Sequence, residues 1–123
     1  MKRLVPFVLI MLFSLFAVVS QAAEPVASFT HFVVVDSVLP DGANSAEAVR
    51  AFEKEVIKMA GGFTEIGASR GGSLVDDTVE YQDNISFVIA ADRDISNELK
   101  ALTTKLFGGR GAFILVWPGT MLH

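Results

Sequence analysis

The stretch Phe29–Val38 is apolar on both of the faces that a β-strand would present. Three valines follow one another at positions 33, 34 and 35, and β-branched and aromatic residues are favoured in strands. A strand with one face in water alternates between apolar and polar residues, whereas here odd and even positions are both largely apolar. The pattern predicts a central strand of a small sheet, covered on both sides.

Two later segments repeat apolar residues with the period of an α-helix. The first stripe comprises Val49, Phe52, Val56 and Met59, and the second comprises Ile95, Leu99, Leu102 and Leu106. Asn44 is placed to cap the first helix, with Glu47 three residues later in a capping-box arrangement, and Asp92–Asp94 precedes the second helix. Paired glycines follow each stripe and supply the left-handed conformation that ends a helix.

Three further apolar runs predict strands at Phe63–Ser69, Ile85–Ala91 and Ala112–Trp117. The segment Arg70–Asn84 is rich in glycine and acidic residues, which favours a long hairpin connection with Thr78–Tyr81 allowed to be extended. Pro118 and Gly119 then predict the end of the last strand.

The element order is therefore βαββαβ, which predicts an α+β fold of the ferredoxin-like sandwich type. Two helices cover one face of a four-stranded antiparallel sheet and leave the other face bare. The bare face carries either Phe32 and Val34 or Val33 and Val35, and the pattern leaves both choices open. An exposed apolar sheet face is an interaction surface, so we expect a homodimer that buries it.

The first 22 residues have the pattern of a signal peptide. Lys2 and Arg3 precede an apolar run, and the small residues Ser20 and Ala22 flank Gln21 before the expected cut. The alternative is an uncleaved membrane anchor, but the run is shorter than the about 20 residues that a spanning helix needs. Residues 23–28 then form a short tether and residues 29–123 a single domain, exported to the periplasm or secreted by a bacterium, with no membrane association after cleavage.

Charge and cysteine content exclude several partners. Removing Lys2 and Arg3 from the 10 basic residues leaves 8 against 14 acidic residues, a net charge of −6. An acidic surface repels phosphate backbones, so nucleic acid is not an expected partner. The chain has no cysteine, so it forms no disulfide and offers no thiol ligand to a metal.

His31 and Glu65 are the weak catalytic candidates. His31 lies on an apolar strand face, where a histidine is either a hydrogen-bonded core residue or a functional base. Glu65 would become a general base if it pointed to the inner sheet face, because burial raises the pKa of a carboxyl group; the alternative is an exposed residue of an edge strand. The spacing of histidines and carboxylates indicates no metal site, and we expect no cofactor.

Arg70 and Arg110 are the weak ligand-binding candidates. Both lie in segments flanked by glycine, and together they could bind a carboxylate if the hairpin and the last helix–strand loop were neighbours. The run Gly108–Gly111 has the composition of a phosphate-binding loop, but it follows a helix instead of opening one. The acidic residues of the hairpin lack the spacing of a calcium loop.

The chain resembles a broad family of small, often exported bacterial proteins known only as a domain of unknown function. The matching pieces are Pro40-Asp41-Gly42, Ser45, Phe52, Gly61-Gly62-Phe63-Thr64, Gly72, Glu80 and Leu106-Phe107-Gly108. A tryptophan usual in the hairpin is absent, and Gly109-Arg110-Gly111 stands where the family has Gln or Glu after Phe-Gly. The resemblance implies the fold and export, and it implies no mechanism.

The sequence favours a non-catalytic binding or interaction module that self-associates through its sheet face. The alternative is a small-molecule enzyme of the dimeric α+β barrel type, in which His31, Glu65 or Arg70 transfers protons in a pocket between sheet and helices. A pocket in which several polar groups converge would distinguish the two.

Overall fold

The structure, a computed structural model, describes residues 24–122. The predicted signal peptide lies outside the described residues. The chain follows the predicted order βαββαβ. Its elements are β1 (Val26–Asp36), α1 (Ala46–Ala60), β2 (Thr64–Val75), β3 (Thr78–Ala91), α2 (Ser96–Phe107) and β4 (Phe113–Met121).

The four strands form one antiparallel sheet in the order β2-β3-β1-β4. β1 is a central strand, as predicted, and pairs with β3 on one side and β4 on the other. His31 in the middle of β1 lies opposite Ile89 of β3 and Val116 of β4. This arrangement is consistent with the predicted ferredoxin-like sandwich.

The core lies between the sheet and the two helices. Val33 and Val35 of β1 are buried there, together with Phe87 of β3 beside Val33 in the register. Phe52 of α1 packs edge-to-face on Phe87, with ring centroids 5.2 Å apart, and on Phe107 of α2 at 6.2 Å. Aromatic pairs in this geometry add stabilisation beyond the area that they bury. The helices therefore cover the face that carries Val33 and Val35.

The boundaries of α1 follow from local chemistry. Asn44 accepts a hydrogen bond from the backbone N–H of Ala46 at 2.7 Å, while Ser45 occupies the N-cap position. The capping box predicted with Glu47 does not appear among the hydrogen bonds of residues 24–122. Gly61 ends the helix at φ 88°, a conformation that glycine adopts without steric cost, as predicted.

The prediction of a long connection at Arg70–Asn84 is wrong. β2 and β3 stay paired along this whole stretch, out to Val75 opposite Thr78, and only Asp76 and Asp77 form the turn. Both turn residues have positive φ, 50° and 63°, as a type I′ hairpin turn requires. The glycines that suggested a loop are tolerated because β2 is an edge strand, where a weakly packing residue costs little.

The second helix is rotated relative to its predicted apolar stripe. Leu99, Thr103 and Phe107 are its buried residues, whereas Leu102 and Leu106 are only half-buried. A buried threonine is compatible with the core because its hydroxyl is fully used. The Thr103 hydroxyl donates to the carbonyl of Leu99 at 2.8 Å and accepts from the N–H of Ala112 at 2.9 Å.

The last strand does not end at Pro118, contrary to the prediction. It continues to Met121, with Pro118 opposite Phe29. β4 is an edge strand, and only one of its two sides is hydrogen-bonded to the sheet. Proline has no N–H, and it is tolerated in an edge strand because the outer side needs no donor.

Gly111 lies where α2 joins β4, and its substitution tests that junction. Its φ is 69°, and a Cβ at this position would lie 2.6 Å from the Thr104 hydroxyl and 2.9 Å from that of Thr103. We expect Gly111→Ala to lower the free energy of unfolding by about 2–5 kcal/mol, because backbone strain and overpacking add.

The matched control is Gly109→Ala, since Gly109 also has positive φ (58°) but no atom lies within 4 Å of the place that a Cβ would occupy. We expect a loss of only about 1–2 kcal/mol from the strain alone. If urea denaturation gave the same loss of unfolding free energy for Gly111→Ala and Gly109→Ala, the contact between the added methyl group and α2 would not be destabilising.

Candidate functional site

The sheet face opposite the helices, here called the open face, carries Phe32 and Val34 of β1. Residues directly opposite each other in an antiparallel ladder point to the same face, which assigns Phe113 and Leu115 of β4 to it. Trp117 joins them opposite Thr30. Phe113, Leu115 and Trp117 are 60%, 48% and 46% exposed. Of the two alternatives left by the sequence, the set with Phe32 and Val34 is thus the uncovered one.

The β2–β3 side of the open face is polar. The hydroxyl oxygens of Ser69 and Ser86 lie 2.7 Å apart and share a hydrogen bond. Gln82 donates from Nε2 to Oδ1 of Asp36 at 2.7 Å. Asn84 lies between these two pairs along β3 and is only 9% exposed. The open face is therefore divided into an apolar half on β1 and β4 and a hydrogen-bonding half on β2 and β3.

Two adjoining depressions follow the boundary between these halves, and together we call them the groove. The larger has a volume of about 510 Å³ and the smaller about 420 Å³. They share four residues, namely Val34, Gln82, Asn84 and Phe113. Phe32, Ser69 and Ser86 line only the larger one, while Lys100 and Arg110 line only the smaller one. Each volume lies in the range of small-molecule sites.

His31 does not face the groove, because it lies on the helix-covered side of β1 and is completely buried. Its Nε2 accepts a hydrogen bond from the backbone N–H of Ile95 at 3.0 Å, and its Nδ1 lies 3.1 Å from the carbonyl oxygen of Ile89. Since Nε2 accepts, the ring proton is on Nδ1 and donates to Ile89. A neutral imidazole thus connects β1, β3 and the start of α2, which is the role of a hydrogen-bonded core residue.

Asp94 lies beside this histidine at the surface, with Oδ1 3.5 Å from Nε2 of His31. Hydrogen bonds from the hydroxyl and backbone N–H of Ser96 hold the pKa of Asp94 below its ordinary value. The carboxylate therefore stabilises the first turn of α2 in its charged form.

Glu65 is exposed on β2, opposite Phe87 at a bulge in the β2–β3 ladder. The burial that would make it a general base is therefore not present. Arg70 is exposed on the same strand, and its guanidinium carbon lies 3.9 Å from the centroid of the Tyr81 ring, a cation–π contact.

Arg110 is exposed in the loop between α2 and β4. Arg70 and Arg110 belong to different depressions, next to opposite edge strands of the sheet, so the structure does not bring them together on one carboxylate. Lys100 lines the same depression as Arg110 and donates from Nζ to the carbonyl of Ala112 at 2.7 Å. The smaller depression thus has two cations and the carboxylate of Asp36 in its wall.

Metal centres and membrane-spanning helices are two further kinds of functional element. Within residues 24–122, no group of three His, Asp or Glu side chains is arranged to hold a metal ion. In the same part of the chain, no helix combines the length and the apolar character needed to cross a bilayer.

Asn84 and Ser86 are the site residues that the sequence-based candidates missed. One signal could have found them: Glu80, Gln82, Asn84 and Ser86 are polar at every second position of β3. Side chains two residues apart share one face of a strand, so this period predicts a polar stripe on a sheet. The assignment of residues 70–84 to a connection concealed it.

His31 can be tested through stability. We expect His31→Leu to lower the free energy of unfolding by about 2–4 kcal/mol, because it leaves the buried N–H of Ile95 without a partner and removes the hydrogen bond to the carbonyl of Ile89. His31→Gln keeps a donor and an acceptor in the side chain and should lose less. Chemical denaturation in which the leucine variant is at least as stable as the glutamine variant would contradict this role.

Comparison with known proteins adds no family to this description. No protein-family model matches the chain, and no curated protein matches it. The resemblance to a family of small exported proteins therefore stays a prediction. The functional argument depends on the geometry of the open face.

Proposed function

We propose that the protein is an exported, non-catalytic interaction module that self-associates through the open face. The observation that carries this proposal is the row formed by Phe113, Leu115 and Trp117, which are half-exposed on a face that the helices leave uncovered. Large contiguous apolar patches on a protein surface mark sites of interaction.

The size of the open face suits a dimer. Four strands about 4.8 Å apart give a width of roughly 19 Å, and the 11 residues of β1 at about 3.3 Å each give a length of roughly 36 Å. The resulting area of about 700 Å² is close to the about 800 Å² per partner of a standard stable interface. A second copy therefore covers the whole face without an additional element.

The apolar surface of the open face sets the energy available for association. An aromatic side chain buries about 150–250 Å², so Phe113 and Trp117 at their observed exposure offer about 100 Å² each. With Leu115 and the second copy included, the apolar area is several hundred Å² and the gross gain is on the order of 10 kcal/mol. This is comparable to the about 4–15 kcal/mol that association costs, which favours a dimer of moderate affinity.

Face-to-face packing is favoured over pairing of the free edges. β4 is an edge strand, and Pro118 in its second half has no N–H to donate to a further strand. A contact between two identical open faces is related by a twofold axis and closes after two copies.

The enzyme alternative gains no observation in its favour. It requires convergence of His31, Glu65 and Arg70 between sheet and helices, whereas both ring nitrogens of His31 are engaged by backbone groups. Glu65 and Arg70 are exposed on β2, and β3 separates that strand from His31.

Export is the first test. We expect the protein recovered from the periplasm or the medium to begin at Ala23 or Glu24, because a signal peptidase cuts after small residues. Ala22→Leu should block the cut and Ala23→Leu should leave it in place, as N-terminal sequencing would show. Wild-type chains that retain Met1 in the membrane would contradict export by this route.

Self-association is the second test. Light scattering of the mature protein at micromolar concentration should give the mass of a dimer. Leu115→Lys should give a folded monomer, because it places a charge in the middle of the apolar row that Phe113, Leu115 and Trp117 form.

Val116→Lys is the matched control for Leu115→Lys. Val116 is the next residue of β4, lies opposite His31 on the other sheet face and is also partly exposed. We expect this variant to remain dimeric, with circular dichroism confirming that both variants fold. A wild type that stays monomeric up to about 100 μM would refute self-association, since moderate interfaces dissociate at micromolar concentrations.

A further inference from the structure

Asn84 is a buried amide that has no visible task in the fold. It is 9% exposed and lines both depressions of the groove. Within residues 24–122, its side chain forms no hydrogen bond, and its amide atoms are not fully enclosed, so they open onto the groove. An amide in this situation is available to whatever fills the groove.

The surroundings of Asn84 add further hydrogen-bonding capacity. Whichever hydroxyl of the Ser69–Ser86 pair donates to the other, the second one keeps a proton that it can donate elsewhere. Gly71 keeps the space beside the amide open, because a Cβ at that position would lie 3.2 Å from Nδ2 of Asn84. The polar end of the larger depression thus offers donors and one amide acceptor.

The other wall of the same depression is apolar. Phe32, Val34 and Phe113 line it, and the volume of about 510 Å³ accommodates an aromatic ring or a short alkyl chain. Convergence of a few polar groups in a mostly apolar depression is the arrangement typical of small-molecule sites.

The head group of the ligand follows from the amide and the charge. Asn84 presents a donor and an acceptor side by side, which match the acceptor and donor of another amide. A carboxylate would use the donor and be repelled by Oδ1. The guanidinium of Arg70 lies on the Tyr81 ring, so the carboxylate of Glu80 is the charge that this wall presents, and the chain as a whole carries a net charge of −4.

We propose that the larger depression binds a small, uncharged amphipathic molecule with a carboxamide head on Asn84 and an apolar body against Phe32 and Phe113. The site is complete within one copy of the chain, so it does not rest on self-association. In a dimer that buries the open face, the bound molecule would be enclosed between the two sheets.

The experiment is an NMR titration of ¹⁵N-labelled Leu115→Lys protein with phenylacetamide. Leu115 does not line either depression, so this variant separates ligand binding from self-association. We expect saturable shifts at the side-chain amide of Asn84 and the backbone of Gly71 and Ser86, with a dissociation constant on the order of 1 mM for so small a probe. Shifts that do not saturate, or that saturate elsewhere on the surface, would overturn the proposal.

Two variants and one control locate the site. Asn84→Leu should weaken binding about tenfold or more, since it removes the hydrogen bonds to the head group. Gly71→Ala should weaken binding while leaving Asn84 in place, because the methyl group crowds Nδ2. Asn97→Leu, at an exposed position on α2, should leave the affinity unchanged. Unchanged affinity in Asn84→Leu would overturn the proposal.

The charged analogue tests the head group. Phenylacetate has the same carbon skeleton with a carboxylate in place of the amide, and we expect it to bind at least about tenfold more weakly. Binding as tight as that of phenylacetamide would overturn the assignment of an uncharged head. Every titration uses the Leu115→Lys variant, which is expected to be a monomer. A wild type that fails to dimerise would therefore refute self-association and leave the ligand-binding proposal standing.

Discussion

The structure depends on a central strand that is apolar on both faces, while residues 24–122 contain two helices to cover it. Val33 and Val35 face those helices, and Phe32 and Val34 face away from them. The residues of β3 and β4 that lie opposite β1 are divided between the same two faces, so the helices leave one face of the sheet uncovered. The groove and the proposed self-association are both consequences of this imbalance between apolar surface and available helices.

Polar groups in the interior fix how the helices lie on the sheet. His31 connects β1 and β3 to the start of α2, and Thr103 connects the middle of α2 to the start of β4. Each side chain accepts from a buried backbone N–H, of Ile95 or of Ala112, that has no other partner within residues 24–122, which makes each contact costly to lose. These contacts specify one position of α2, and hydrophobic packing alone is less selective. His31 in this position supports the fold, and the polar groups available to a ligand lie on the other side of the sheet.

Local chemistry made several elements predictable. The strand–helix order, the buried stripe of α1 and its termination at Gly61 follow from periodicity and from the conformational freedom of glycine. The rotation of α2 was not predictable from its apolar stripe, because it buries Thr103. A threonine is stable in a core only if its hydroxyl has hydrogen-bond partners, and here the tertiary structure brings the N–H of Ala112 to it. The length of the β2–β3 hairpin was missed for a related reason, since its glycines are acceptable only in an edge strand.

The sequence by itself determined the order of elements, the central place of β1 and the apolar character of both faces of that strand, because these depend on periods of two and 3.6 residues along the chain. Only the tertiary structure decided which face is open and which polar residues meet on it. Asn84, Phe32 and Phe113 belong to three different strands, and they line one depression because β3, β1 and β4 are neighbours in a particular register. β1 is joined to neither β3 nor β4 by a hairpin, so no turn fixes these two registers and the pairing across the sheet must do so.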